Sequence, residues 1–186
     1  MKDLKKSFNL TCLLIICFLI APGVESKAQV KKMSHKDMTE VSTAVLYGKC
    51  TNKRCEWNEK KNIIYTYVTI APEEYIKGNL GSEAVITIPG GRVGDIIYEV
   101  SEMPAFEEGE EVVAFVWTNP RGKNLVTGGY KGKIKIEKDE KTGKKTVQVN
   151  DEMMDEGEGL DKVPPGQAKK MQLEDFVGKL KGYMKN

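Results

Sequence analysis

Histidine is nearly missing from this sequence: its 186 residues include one, His35. Metal centres built on several imidazoles and the helix-borne zinc-protease motif are thereby excluded. Nor is there a long apolar run. The longest, Leu10 to Ala21, spans 12 residues and is interrupted by Thr11, whereas a membrane-spanning helix needs roughly 20. An excess of one charge is also lacking, with 29 basic against 27 acidic residues. Hydrophobic residues at 40% and charged residues at 30% describe a globular chain with a heavily charged surface, and exclude collagen-like, low-complexity and polytopic membrane classes. The length suits one ordinary domain.

The first thirty residues read as a segment apart from the fold. Lys2, Lys5 and Lys6 precede the apolar run, and Pro22, Gly23 and a polar stretch lead out of it. A charged start, a short apolar centre and a small-residue exit form a secretory signal peptide, expected over 1–28 with cleavage before Gln29. Ser26 and Ala28 occupy the −3 and −1 positions of that cut. An uncleaved anchor is the alternative, and it is the one membrane attachment expected. Ile16 before Cys17 is too large for a lipoprotein cut. Removing 1–28 takes away four lysines and two acids and leaves 25 basic and 25 acidic residues. A nucleic-acid partner is not expected of a chain so balanced.

Cys12 and Cys17 fall in the leader, which leaves Cys50 and Cys55. Two neighbouring cysteines in an exported chain predict one disulfide, worth roughly 2 kcal/mol for so short a loop. The alternatives are free or metal-binding thiols, or a redox pair, although C-x4-C is not the thioredoxin spacing.

Along the remaining chain, Ser34 caps a short helix over 34–42, with Asp37 three residues on and Met33 and Met38 at the staple positions. Thr43 to Cys50 reads as a strand and 51–62 as a polar loop pinched by the cysteines. Ile63 to Ile70 alternates with apolar or aromatic residues on both faces, which predicts a central strand ended by Pro72. Further strands are expected over 84–88, 96–100, 112–117, 125–130, 133–137 and 146–149, with turns at Pro89-Gly90-Gly91, around Gly109 and at Asn119-Pro120-Arg121-Gly122. The stretch 150–167 holds six acids, three glycines and Pro164-Pro165 and reads as a loop or linker. Leu173, Phe176, Val177, Leu180 and Met184 then share one face of a final helix over 172–184.

Seven or eight short strands with helices only at the two ends predict a mostly β fold, a small barrel or sandwich. The expected organisation is a signal peptide at 1–28, a β-barrel domain at 29–150, an acidic loop at 151–170 and a helix packed on the barrel at 171–186.

The segments AVLYGKC at 44–50, YTYVTIAPEEYIKG at 65–78, IPGGRVGD at 88–95, PAFEEGEEVVAFVW at 104–117, GYKGKIKIE at 129–137 and LEDFVGKLK at 173–181 follow the helix capped by Ser34. In that order the chain resembles a set of uncharacterised exported bacterial proteins. At the level of fold it is similar to the netrin-type module, the OB-like barrel of tissue metalloproteinase inhibitors. That likeness implies an OB-like barrel. It does not carry the inhibitory mechanism, which uses a cysteine at the mature amino terminus, because Gln29 stands at the expected terminus and the first remaining cysteine is Cys50.

Candidate functional residues are few. His35 has no serine-plus-acid pair to work with and reads as a solvated side chain. Gly90, Gly91, Arg92 and Gly94 form a loop whose amides and guanidinium suit an anion, but the segment lacks the G-x-G-x-x-G order. Its other reading is a turn built for backbone geometry. Trp57 is either a lid on the barrel end or a contact residue for a partner. Asp151, Glu152, Asp155, Glu156, Glu158 and Asp161 lack the ligand order of an EF-hand and read as a solvated loop. No metal or cofactor is expected. The functional expectation is an exported, non-enzymatic module that binds another protein or envelope component through 51–62 and 89–95. A carboxylate-based hydrolase or enzyme accessory and a carrier of a small apolar ligand are the alternatives.

Overall fold

Helix α1 (His35–Val41) is started by a capping box. Asp37 N–H donates to Ser34 Oγ at 3.1 Å, and Ser34 N–H donates to Asp37 Oδ2 at 3.0 Å. The computed structural model describes residues 33–140, 142–150 and 168–185. The expected leader and the acidic residues at 151–161 lie outside them.

Two 14-residue strands, β1 (Ala44–Trp57) and β2 (Ile64–Lys77), form an antiparallel hairpin. Asn58 ties its turn, accepting from the N–H groups of Asn62 (3.0 Å) and Ile63 (3.2 Å) through Oδ1. The loop expected over 51–62 is therefore mostly strand: Thr51 to Trp57 is polar because it is largely exposed, and it is extended because β2 supplies a ladder. Pro72 does not end β2 either. It lies opposite Gly48 beside a register shift, where a residue without an N–H is tolerated. A Cβ on Gly48 would stand 2.2 Å from Ala71 O, so only glycine lets the two backbones approach there.

Strand β3 (Ala84–Pro89) pairs with β2. Strands β4 (Gly91–Val93) and β5 (Ile96–Tyr98) make a separate two-stranded hairpin. Strand β6 (Glu111–Thr118) pairs with β1 on the side away from β2. The other edge of β6 is shared: its end takes β7 (Asn124–Val126), and its start takes β8 (Lys133–Lys138) after a 3-10 turn at Gly129–Gly132. Strands β9 (Lys145–Asn150) and β10 (Ala168–Gln172) extend the sheet, and helix α2 (Leu173–Tyr183) follows. Composition gave no hint of β10, whose alternation is muted by two lysines and whose order comes from pairing with β9.

Among the described residues the molecule is thus mostly β with two α-helices. The main sheet runs β10-β9-β8-β6-β1-β2-β3, with β7 branching from β6. It curls until β7 lies alongside β3, where Asn124 Nδ2 donates to Val85 O at 3.0 Å. No ladder joins β3 to β7, so among the described residues the sheet does not close into a barrel.

Alternation sends the side chains of the central strands into two cores. Leu46, Val112, Ala114 and Val116 join Val68, Ile70, Ile86 and Phe106 on the concave side. Val45, Val113 and Phe115 join Met38 of α1 and Leu173, Phe176, Val177 and Leu180 of α2 on the other. These four α2 residues fall at i, i+3, i+4 and i+7, the spacing of one helix face. Burying each is worth about 1.5–3 kcal/mol, which outweighs the roughly 1 kcal/mol cost of each of Gly178 and Gly182 in that helix. Truncating the largest of them is therefore expected to be severe. Phe176→Ala should lower the unfolding free energy by about 3–5 kcal/mol in urea titrations, whereas a change below about 1 kcal/mol would show that α2 does not depend on this contact.

Candidate functional site

The residues singled out for binding are distributed around the far end of the β1–β2 hairpin. Trp57 closes β1 opposite Ile64 and is half-buried. Gly90 crosses the same end, its N–H donating to Ile64 O at 2.9 Å and its carbonyl accepting from Thr66 Oγ1 at 2.7 Å. A Cβ on Gly91 would stand 2.6 Å from Thr66 Oγ1 and 2.8 Å from Cys55 Sγ, at a φ of +139°. Glycine is required there by space and by backbone together. Gly90, Gly91 and Arg92 line an open cleft of about 660 Å³ with Lys53 and Cys55, whereas Trp57 and Gly94 are not among its walls. Arg92 is exposed and donates through Nε to Gly94 O at 3.1 Å, inside its own turn.

The expected disulfide is not formed; Cys50 and Cys55 are free thiols. Both lie on β1, where five residues of extended chain span about 17 Å, far beyond the 4.4–6.8 Å between Cα atoms that a disulfide needs. Cys50 belongs to the concave core, and burial pushes its thiol up, helped by Glu110 and Glu108. Cys55 is half-buried with its sulfur 3.3 Å from Thr66 Oγ1.

His35 is likewise not solvated: it is 1% exposed. Its ring lies 6.0 Å from that of Phe115 and 5.2 Å from that of Phe176, because α1 is held between the sheet and α2.

Ionisable side chains do converge elsewhere, in a cleft of about 650 Å³ between β2, the β8–β9 turn and α2. Tyr47 Oη donates to Glu74 Oε2 at 3.2 Å, and Lys181 Nζ reaches Glu74 Oε1 at 2.6 Å. Lys145 Nζ bridges Glu73 at 2.8 Å and Glu111 at 2.7 Å. The Lys181 hydrogen bond holds the Glu74 carboxyl below its ordinary range, against the effect of burial. Burial, with the Glu74 bond, raises the Tyr47 phenol. Burial opposes the charge of Lys145, but Glu111 and Glu73 outweigh it and raise its pKa. A general acid of the hydrolase type needs a carboxyl pushed up. Here the carboxylates are neutralised by lysines, the signature of a structural ion-pair network.

Two features escaped the sequence reading. The segment 104–110 is strapped to the sheet end by two lysines, with Phe106 seated in the concave core. Lys53 Nζ donates to Phe106 O at 2.9 Å, while Lys133 donates to Ala105 O and pairs with Glu110 at 2.6 Å. The second is the exposure of the strand expected over 96–100, which forms as β5 with Ile96, Ile97 and Tyr98 at 54%, 58% and 37% exposed. The signal was available: three consecutive apolar residues on a three-residue strand cannot all point to one core, since neighbours alternate.

Among the described residues no group of three or more His, Cys, Asp and Glu side chains is placed to hold a metal ion, and no helix is long and apolar enough to cross a membrane. No protein-family model and no curated protein matches the chain.

Two outcomes follow from this geometry. Iodoacetamide applied to the native protein should label the Cys55 peptide and spare Cys50 until denaturant is added; a cross-linked 50–55 peptide would contradict the strand geometry. For Glu74, the folded pKa lies below the unfolded one, so its contribution is fully present above about pH 4.5 and is lost as pH falls through the folded value. Because both partners are substantially exposed, the effect is below about 1 kcal/mol. Thermal melts of the wild type and Glu74→Gln should therefore differ by a constant margin at neutral pH and converge in acid.

Proposed function

We propose that this chain is an exported, non-enzymatic binding module of the cell envelope that engages another protein through the β4–β5 hairpin. The observation that carries the reading is the exposed apolar strand β5, with Met103 at 36% exposure as a further uncovered apolar side chain. Apolar patches of this kind on a charged surface mark interaction sites. The hairpin packs on the main sheet through Gly91 but forms no ladder with it, and among the described residues β5 pairs only with β4, so its outer edge offers free N–H and C=O groups. An extended segment of a partner adds to such an edge by main-chain hydrogen bonds, with Ile and Tyr side chains providing specificity. Export is part of the proposal and rests on the leader-like residues 1–28.

The finer description of the fold belongs to the same proposal. An OB-like, netrin-type barrel is a partly open five-stranded arrangement. Strand adjacency supports it: β1–β2–β3 on one side, β1–β6–β7 on the other, and β7 tied to β3 through Asn124. The likeness to uncharacterised exported bacterial proteins is proposed on the segments quoted above. Filling of the concave side by Leu46, Ile70, Ile86 and Phe106 favours recognition on the outer surface over carriage inside.

The test compares capture from the native envelope fraction by the wild type and by Ile96→Ser/Ile97→Ser, both tagged at the carboxyl terminus. The expected result is a defined protein retained by the wild type and depleted at least tenfold with the variant, whose melting temperature is unchanged. Protein recovered from the envelope should begin at Gln29. Equal capture by both, or turnover of a substrate that is abolished by replacing an acid of the Glu73–Glu74 cleft, would overturn the reading.

A further inference from the structure

A separate groove lies where the curled sheet fails to close. It has a volume of about 340 Å³, at the small end of pockets that hold small molecules. Its apolar lining includes Ile88 and Pro89 from β3, Leu125 and Val126 from β7, and Tyr65 from β2. Its charged lining consists of Arg121 and Lys123, with no carboxylate. Elsewhere Lys53, Lys133, Lys145 and Lys181 all meet glutamates, whereas among the described residues neither Arg121 nor Lys123 has an ion-pair partner.

Both cations are carried by a turn that is fixed from within. Asn119 Oδ1 accepts from the N–H groups of Arg121 (2.9 Å) and Lys123 (3.0 Å), and Asn119 N–H donates to Lys123 O at 2.9 Å. Asn124, the next residue, ties the turn's far end to β3 through Val85 O. Lys123 Nζ then sits 4.7 Å from the centre of the Tyr65 ring, a cation–π contact that positions the charge above the aromatic wall. An ammonium held in place before a ligand arrives, as that of Lys123 is, loses little freedom on binding.

We infer that this seam groove is a binding site for a small amphiphilic carboxylate, with the apolar body against Ile88, Leu125 and Tyr65 and the carboxylate on Arg121 and Lys123. Charge complementarity selects the anion: a guanidinium and an ammonium without a neighbouring acid favour a carboxylate and repel a cation of equal size. The apolar lining selects the body. The groove includes no residue of the β4–β5 strands and shares only Met103 with the protein-binding patch, so the Ile96→Ser/Ile97→Ser test of that reading and the octanoate titration fail separately.

The test is a titration of the ¹⁵N-labelled full chain with three probes: octanoate, which has both features; acetate, which has the charge alone; and octyltrimethylammonium, which has the body with the opposite charge. Octanoate should produce saturable shifts of the Arg121, Gly122, Lys123 and Leu125 amides. Acetate and octyltrimethylammonium should bind at least tenfold more weakly. Arg121→Gln/Lys123→Gln should weaken octanoate roughly tenfold while the remaining amide spectrum stays in place, and Tyr65→Leu should weaken it without reversing the charge preference. Equal binding of octanoate and octyltrimethylammonium would overturn the inference. So would saturable shifts confined to another surface, no saturable shift at millimolar octanoate, or movement of the same amides with protein concentration alone, which would mean that a second copy occupies the groove.

Discussion

Strand β6 has apolar residues on both faces, and the rest of the fold is arranged to cover them. Val112, Ala114 and Val116 need one core, Val113 and Phe115 need another, and a strand can serve two cores only from the middle of a sheet. The long β1–β2 hairpin covers the first side by curling with β3 into a concave wall, which Phe106 fills from its strapped loop. The two helices cover the second. Because α1 comes from the start of the described chain and α2 from its end, the helix-side core joins the two termini of the fold across β6.

This arrangement decides where recognition is possible. Among the described residues the apolar side chains of both cores are buried, and the clefts described above lie at the margins. The β4–β5 hairpin is too short to bury both faces and presents Ile96, Ile97 and Tyr98 to water. The seam between β3 and β7 is held by a side-chain hydrogen bond where a ladder would otherwise run, and the missing ladder leaves room for a groove. Four lysines of the described surface are used in bracing: Lys53 and Lys133 hold the 104–110 strap, and Lys145 and Lys181 fasten β2 to its neighbours. Arg121 and Lys123 differ because their turn braces itself through Asn119 and leaves both charges available.

The sequence was most informative where local rules operate. The Ser34–Asp37 capping box, the alternation in β2, the unbroken apolar run of β6, the face of α2 and the turn at Asn119 are all readable from neighbours within a few residues, since capping, pleat and helical period are short-range properties. It misled where a distant partner overrode composition. Polar Thr51 to Trp57 looks like a loop until β2 is laid beside it, and Pro72 looks like a stop until Gly48 makes a close crossing possible. Cys50 and Cys55 look like a disulfide because four intervening residues suggest a loop; an extended strand separates them instead. His35 looks solvated from its charged neighbours, yet a helix docked on a sheet buries whichever side faces inward.

Of the candidate site, the glycines of 90–94 were legible as a backbone device, and the exposed apolar run of β5 was legible in principle. The groove was not, because Tyr65, Ile88 and Lys123 come from three strands or turns far apart in the chain. By itself the amino-acid order determined that the protein would be mostly β with a helix at each end, since periodicity and caps are written in adjacent residues. Only the tertiary structure decided which polar segments became strands, which thiols stayed apart and which cations were left without an acid. Those outcomes depend on what is brought alongside when the sheet curls, and no local pattern encodes that.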